Sequence, residues 1–304
     1  MNCVGGMYSD GIGVRQNYQK AAEWFQKSVD KGNETAMSNL ALLYFEGNGV
    51  KKDKVKAFNL FQKAAEAGNT DAMYFSGMMY LKGEGTPQVV YKGINLLEEA
   101  AESGNTDAMK ELGEIYSNGD FDITAHKKVA FKWYMKAAEA GDAEAMNTVG
   151  FMYDNGEGTE VNSRKAREFY QKAADLGDTV AMCNLGYYYW KMGNFDQAEY
   201  WYKKAVDLGN VWAMNYLGEL YQDQSKYLEA SKCYTTAADE GNSDAMLNLA
   251  LLYKDGVSTN GVTIRKDRKK YLFWLQKAVD AGNDLAEMEL EEYNSRGIWD
   301  RIFD

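Results

Sequence analysis

The sequence predicts an all-α protein made of stacked helical repeats, and three observations support this prediction. First, a box of the form Gly-Asn/Asp-x-x-Ala-Met occurs seven times, and an eighth copy lacks only the Met. Second, the leading glycines are separated by 36, 36, 37, 36, 32, 32 and 41 residues, and a period in this range is typical of repeat arrays. Third, Pro87 is the single proline, so little in the sequence interrupts a helix.

The boxes divide the chain into eight helical pairs and a terminal helix, which we expect to form a single repeat domain over 1–304. Each unit of such an array buries its apolar face only against its neighbours, so no single large core is needed. The expected pairs span about 1–31, 32–67, 68–103, 104–140, 141–176, 177–208, 209–240 and 241–281, and a capping helix with a tail spans 282–304.

The second unit shows how one repeat forms two helices. Ala36, Leu40 and Leu43 recur at three- and four-residue spacing and predict the first helix of the pair, which we name helix A. A second apolar stripe predicts the other helix, helix B. That stripe consists of Ala57, Leu60, Phe61, Ala64 and Ala65.

The turns of this unit contain the residue types that their geometry requires. Gly47 and Gly49 lie between the two helices, where positive φ angles are expected, and Asp53 is placed to cap helix B. Gly32 and Asn33, which open the box, are both expected to end the preceding helix, because Gly and Asn tolerate the left-handed conformation.

A small residue precedes the helix A tyrosine by three positions in every unit. Glycine inside a helix costs about 1 kcal/mol relative to alanine. Its repetition therefore predicts a close approach of helix B at this point. The small residues are Gly5, Ala41, Gly77, Gly113, Gly150, Gly186, Gly218 and Ala250.

The charge and hydropathy of the chain restrict its partners and its location. A net charge of −11 disfavours nucleic acid, because phosphate binding requires clustered Lys and Arg. An acidic surface serves solubility, or it suits a basic partner such as a cationic peptide. No apolar run approaches the roughly 20 residues of a membrane span. Because 1–10 contain no signal peptide, we expect a cytoplasmic protein, or an exported one if a targeting segment has been removed.

The repeated pattern Ala-Met-x-x-Leu-Gly-x-x-Tyr-x-x-Gly-x-Gly-Val, followed by Lys-Ala-x-x-Trp-Tyr-x-Lys-Ala-Ala-x-x-Gly, resembles the Sel-one-like repeat (SLR). This repeat is the longer relative of the tetratricopeptide repeat. The resemblance implies an α/α solenoid, a right-handed superhelix with A helices along its concave face. It also implies an adaptor that holds proteins together, and bacterial members are often exported.

Two units depart from the pattern. Those beginning at Gly177 and Gly209 lack the Gly-x-Gly turn, are 32 residues long and resemble plain tetratricopeptide units. The unit from Gly241 carries extra residues, 257–265, which we expect to form an extended loop. The cysteine pairs of one branch of the family are absent, so disulfide pairing does not transfer to this chain.

Residues for catalysis, metal binding or cofactor binding are scarce. His126 is the only histidine, and the three cysteines fall in different units, which excludes a Cys-x-x-Cys site. The Gly-x-Gly pairs lack the Gly-Lys-Ser/Thr ending of a phosphate-binding loop. We therefore expect no enzyme activity, no cofactor and no metal.

A binding groove on the A helices is the better-supported hypothesis. Units aligned on the helix A tyrosine show large apolar and Asn side chains at positions that packing within one unit does not explain. The alternative is that stacking buries the same residues against the next repeat. The candidates are Asn39, Leu42, Phe45, Phe75, Met78, Phe151, Asn184, Tyr187, Trp190, Tyr216 and Asn248.

The predicted function is a protein–protein interaction scaffold that holds a protein or peptide segment in this groove. Trp212 is either an outward-facing contact or a lid over the core between repeats. The apolar tail 298–303 either folds back onto the last repeat or docks a partner. Two other functions stay open: a secreted or envelope-associated hydrolase, and a structural oligomer joined through the first helix or the tail. The sequence does not indicate the oligomeric state.

Overall fold

The computed structural model describes residues 1–259 and 262–295, which contain 17 α-helices and one short β-hairpin. The helices are α1 (Asn2–Asp10), α2 (Tyr18–Val29), α3 (Glu34–Glu46), α4 (Lys54–Glu66), α5 (Thr70–Lys82), α6 (Val90–Glu102), α7 (Thr106–Asn118), α8 (Lys127–Glu139), α9 (Ala143–Asn155), α10 (Ser163–Asp175), α11 (Thr179–Lys191), α12 (Phe195–Asp207), α13 (Val211–Asp223), α14 (Tyr227–Asp239), α15 (Ser243–Asp255), α16 (Arg268–Asp280) and α17 (Asp284–Ser295). The strands are β1 (Val257–Thr259) and β2 (Val262–Ile264).

Consecutive helices pack in antiparallel pairs, as helix–turn–helix repeats require. The chain divides into two compact units, 1–166 and 167–304, and the division falls within α10. In the first unit consecutive helices from α1 to α9 pack against one another, and in the second consecutive helices from α11 to α17 do so. The prediction of an all-α, α/α solenoid fold is therefore confirmed. The expectation of one repeat domain over 1–304 stays a prediction, as does the placement of the tail 298–303, which lies outside the described residues.

The extra residues after α15 form the hairpin rather than an extended loop. Val257 pairs with Ile264 and Ser258 with Thr263 in an antiparallel register. The β-branched residues of this segment favour strands over helix, which accounts for the difference from the expectation.

The two residues that open the box have different roles, which corrects one prediction. Gly32 has a φ of 80°, in the left-handed region, as expected. Asn33 is extended instead, and its Oδ1 accepts a hydrogen bond of 2.8 Å from the backbone N–H of Ala36. Capping the first turn of the next helix satisfies a backbone donor that has no partner inside that helix. The other caps of this kind are Asn69, Asn105, Asp142, Asp178, Asn210, Asn242 and Asn283.

The amide nitrogen of the box asparagine joins neighbouring repeats. Asn105 Nδ2 donates to Asp71 Oδ1 at 2.9 Å, across the first turns of α7 and α5. Where the box has Asp142, which offers no donor, Lys110 Nζ lies 3.1 Å from Asp142 Oδ2. One short side chain therefore caps its own helix and links it to the previous A helix.

The glycine inside helix A allows helix B to come close, as predicted. A Cβ placed on Gly186 or on Gly218 would lie 2.5 Å from a ring carbon of Tyr202 or Tyr234, respectively. Real Cβ atoms do not approach a ring this closely, so the tyrosine ring occupies the space that a side chain would need. The loss in helix propensity is offset by this packing.

The second glycine of the Gly-x-Gly turn rests on the previous repeat. Gly85 has a φ of 70°, and a Cβ there would clash with the backbone of Lys54 at the start of α4. Lys54 Nζ also forms an ion pair of 3.0 Å with Glu84, the residue before this glycine. The 32-residue units, which lack the turn, lack this link.

Candidate functional site

Several predicted groove residues of the compact unit 1–166 already make contacts with other residues of that compact unit. Asn39 Nδ2 donates to Asn2 Oδ1 at 3.2 Å, which links α3 to α1. The ring of Phe75 stacks on Phe61 with centroids 5.0 Å apart, and Lys54 Nζ lies 5.2 Å from the centroid of Phe45. The partly buried Leu42 and Met78 and the exposed Phe151 are also on A helices.

The compact unit 167–304 does bring several predicted groove residues together. A cavity of about 400 Å³ lies among α11, α12 and α13, and we call it the apolar cavity. Three predicted groove residues, Asn184, Tyr187 and Tyr216, line it. The remaining lining residues are Val180, Cys183, Tyr202, Asn210 and Trp212.

Three of the large side chains that line the apolar cavity are exposed to solvent. Tyr187 is 49% exposed, Trp212 is 52% exposed and Tyr216 is 36% exposed. Clusters of exposed aromatic side chains mark interaction surfaces, because their rings offer a large area for burial. Of the two readings of Trp212, the outward-facing contact agrees with this exposure.

Tyr202 is fully buried, and its hydroxyl has no hydrogen-bond partner in the part of the chain that the structure describes. Burial raises the pKa of this hydroxyl, so it is protonated at neutral pH. Tyr234 occupies the same position one repeat later, and its hydroxyl lies 3.1 Å from Gln222 Oε1. The residue corresponding to Gln222 is Trp190, which offers no acceptor. Tyr202 therefore lies at the wall of the cavity with an unsatisfied hydroxyl that is itself buried, which is uncommon in folded proteins.

A second depression, of about 540 Å³, lies beside the first, and we call it the acidic depression. It contains the other two predicted groove residues of this unit, Trp190 and Asn248. Trp190 Nε1 donates to Asp223 Oδ2 at 2.9 Å, which fixes the indole beside that carboxylate. The other lining residues are Glu219, Gln222, Ser225, Tyr227 and Tyr234.

Glu219 is the partly buried carboxylate of the acidic depression. It accepts hydrogen bonds from Asn215 Nδ2 at 2.8 Å and from Asn248 Nδ2 at 3.2 Å. Burial raises the pKa of Glu219 and the nearby Asp244 raises it further, while the two amides act in the opposite direction. Among the described residues Glu219 forms no ion pair, so its negative charge is held by neutral donors alone.

The two depressions follow one another along the same pair of helices. Tyr187 and Trp190 are three residues apart on α11, and their ring centroids are 6.3 Å apart. Tyr216 and Glu219 are likewise three residues apart on α13, which corresponds to about 4.5 Å along the helix axis. The apolar cavity and the acidic depression have neighbouring lining residues on both helices, and we name the two together the α11–α13 groove.

Val180 was missed as a groove residue, although the sequence contained a signal for it. Val180 and Trp212 occupy the fourth position of the box in two neighbouring repeats. Both are more than half exposed, so packing does not require an apolar side chain at either position. The other boxes have Thr35, Asp71, Asp107, Glu144, Asp244 and Leu285 at this position.

The described residues contain little that indicates catalysis or metal binding. No three His, Cys, Asp or Glu side chains lie together as a metal site within 1–259 and 262–295. Burial raises the pKa of the Cys183 thiol to about 12, so the thiol that lines the apolar cavity is not a ready nucleophile. No described helix has both the length and the apolar character needed to cross a membrane.

Comparison with known families and structures identifies similar repeats. The model described as the Sel1 repeat matches residues 4–33, 35–69, 70–105, 106–142, 143–178, 213–242 and 243–283. A tetratricopeptide repeat model matches residues 179–209, as expected for the 32-residue unit from Gly177. The expectation was wrong for the other 32-residue unit, from Gly209, because the Sel1 repeat model matches residues 213–242. No curated protein matches the chain significantly.

Two solved structures are similar over much of the chain. The Sel1 repeat protein from Oxalobacter formigenes is 30% identical, with a TM-score of 0.66, and the match covers 79% of this chain and 100% of that one. A protective antigen of uropathogenic Escherichia coli with an SLR fold is 27% identical, with a TM-score of 0.56. That match covers 96% of this chain and 70% of the antigen.

Proposed function

The chain belongs to the Sel1 repeat family, and from this premise we propose that it is a scaffold that holds a segment of a partner protein in the α11–α13 groove. Sel1 repeat proteins are in general protein-interaction scaffolds, and their fold is mostly non-catalytic. The observation that supports this particular groove is the apolar cavity, whose exposed walls include Tyr187, Trp212 and Tyr216.

The energetic reason is the area that these side chains expose to water. Burial of apolar surface stabilises a complex by roughly 25 cal/mol per Å². Aromatic side chains at the centre of an interface contribute most to affinity. Tyr187 and Trp212 lie on adjacent A helices and line the same cavity, so one bound segment would cover both.

The charge of the chain supports a basic partner. The net charge is −11, and the groove itself contains Glu219 and Asp223. An electrostatic field of one sign attracts a partner of the other sign and increases the rate of encounter.

A capture experiment with a groove variant tests the proposal. The wild-type chain and the double variant Tyr187→Ala/Trp212→Ala are used as baits in an extract of the native cell, and captured proteins are quantified by mass spectrometry. The matched control is Tyr200→Ala/Phe273→Ala, which removes two aromatic side chains of the same unit that are 52% and 53% exposed but lie outside the groove.

The proposal predicts that at least one protein captured by the wild type and by the control is lost with the groove variant. Circular dichroism must show that the three chains have the same helix content. If the groove variant retains every partner, the α11–α13 groove is not the binding surface.

A further inference from the structure

We propose that the segment bound in the α11–α13 groove is extended and basic. It places a large apolar side chain in the apolar cavity and a Lys or Arg side chain, two residues away, in the acidic depression. This inference rests on the proposed function and specifies the chemistry of the partner.

The apolar cavity has the size and the lining for one large side chain. Its volume of about 400 Å³ is near the lower end for ligand pockets, about 300–1,000 Å³. Tyr187, Trp212 and Tyr216 would surround an apolar side chain placed in this cavity, and Val180 adds an aliphatic edge.

The acidic depression is suited to a cation. Glu219 and Asp223 lie one helical turn apart on α13, and within the described residues neither forms an ion pair. Trp190 provides an indole beside Asp223. A guanidinium or ammonium group at this point would form charge-assisted hydrogen bonds and a cation–π contact. An acidic segment would instead be repelled.

The position of the cation is restricted to the acidic depression. Lys191 Nζ lies 5.2 Å from the centroid of Tyr187, so a positive charge already lies beside the apolar cavity. Asp244 raises the pKa of both Glu219 and Tyr216, so its charge does not distinguish the two depressions. Glu219 and Asp223 line the acidic depression, whereas Lys191 lies beside Tyr187, and this difference favours the acidic depression for the basic side chain.

The separation of two lining side chains, one from each depression, is similar to the side-chain repeat of an extended peptide. Side chains two residues apart on a strand point to the same face and are separated by roughly 6.6 Å. The ring centroids of Tyr187 and Trp190, one in each depression, are 6.3 Å apart. An apolar residue and a basic residue at positions i and i+2 would therefore enter both depressions together, with the residue between them pointing away.

Selection from a random peptide library tests this inference. A phage-displayed library of random dodecapeptides is panned on the immobilised wild-type chain, and the enriched sequences are synthesised as labelled peptides. Affinity is then measured by fluorescence anisotropy. The expected result is enrichment of Lys or Arg two residues from a Tyr, Trp, Phe, Leu or Met.

Charge removal provides the decisive comparison. Glu219→Gln/Asp223→Asn should weaken the binding of the selected peptides by about tenfold or more, because two charge-assisted contacts are lost. Glu102→Gln/Glu114→Gln is the matched control, since it removes the same net charge from exposed residues of the other unit, and it should leave the affinity within about twofold. Selected peptides without a basic residue at this spacing would overturn the inference, as would unchanged affinity for Glu219→Gln/Asp223→Asn.

The same experiment separates this inference from the proposed function. Peptides that lose affinity for Tyr187→Ala/Trp212→Ala but not for Glu219→Gln/Asp223→Asn would leave the groove as a binding site and overturn the basic motif. Peptides that bind all variants equally, or no enrichment at all, would count against both.

Discussion

Asn210 donates a hydrogen bond of 3.0 Å from its Nδ2 to the Oγ1 of Thr179, which joins the first turn of α13 to that of α11. The corresponding donor one repeat later, Asn242 Nδ2, is buried and has no partner within the described residues. The reason is that Val211 occupies the position of Thr179 in the intervening box, and Trp212 follows it. The repeat that presents Trp212 to the groove has therefore lost one of the hydrogen bonds that stack its neighbours.

Val211→Thr should restore this hydrogen bond. Satisfying a buried donor contributes about 1 kcal/mol, so the free energy of unfolding should rise by that amount. The urea midpoint, followed by circular dichroism, measures the change. Val55→Thr is the control, because Val55 is exposed on α4 and its replacement creates no such bond. An equal or lower midpoint for Val211→Thr would show that Asn242 gains nothing from a hydroxyl at this position.

Gly218→Ala should destabilise the fold, although alanine is the better helix former. Its Cβ would lie 2.5 Å from the ring of Tyr234, and overpacking of this kind costs about 1–3 kcal/mol. Gly6→Ala is the matched control, since no atom lies within 4 Å of the added Cβ, and it should stabilise α1 by up to about 1 kcal/mol. Thermal unfolding of the two variants should therefore shift in opposite directions, and equal shifts would contradict the close approach.

The affinity for a basic segment should fall on acidification because of Glu219. Burial raises the pKa of this carboxyl above its usual value near 4.3, and only the ionised form attracts a cation. Binding should therefore weaken as the pH falls from neutral through the raised pKa. Peptide titrations at several pH values measure this dependence.

Glu219→Gln is the control for this pH dependence. It should bind weakly at neutral pH, and its affinity should change less across the same window. The stability of the free wild-type chain should depend on pH in the opposite direction to its affinity for the segment. The contribution of Glu219 to stability is fully present below its usual pKa and is lost as the pH rises through the raised pKa. A parallel pH dependence of binding in the wild type and in Glu219→Gln would assign the effect to another group.

The cysteines should differ in reactivity. Cys3 is exposed, whereas Cys183 is buried and its pKa is raised to about 12. A thiol-specific reagent at pH 8 should therefore label Cys3 first and leave Cys183 unmodified until the chain unfolds. Mass spectrometry of tryptic peptides measures the order, and rapid labelling of Cys183 would show that the apolar cavity opens readily.

The sequence predicted the features that lie within one repeat. The spacing of the boxes gave the helical pairs, and the glycines at 186 and 218 gave their close approach to helix B. The prediction that Asn33 ends the preceding helix was wrong. Asn favours both the left-handed residue after a helix and the N-cap before one, and the choice depends on where the next helix begins.

The features that lie between repeats could not be predicted in this way. Leu42 and Met78 occupy the same repeat position as Tyr187, but the first two are partly buried whereas Tyr187 is 49% exposed. The apolar cavity is lined by side chains of three helices. The hydroxyl of Tyr202 has no partner because α11 has Trp190 at the position where α13 has Gln222, the partner of Tyr234. No single unit contains that information.

The central claim is that the α11–α13 groove binds the partner, and isothermal titration with a partner identified by capture tests it most directly. The account predicts that Tyr187→Ala/Trp212→Ala binds that partner about tenfold more weakly than the wild type or worse, while Tyr200→Ala/Phe273→Ala retains wild-type affinity. Equal affinity of the wild type and the groove variant, with helix content unchanged, would contradict it.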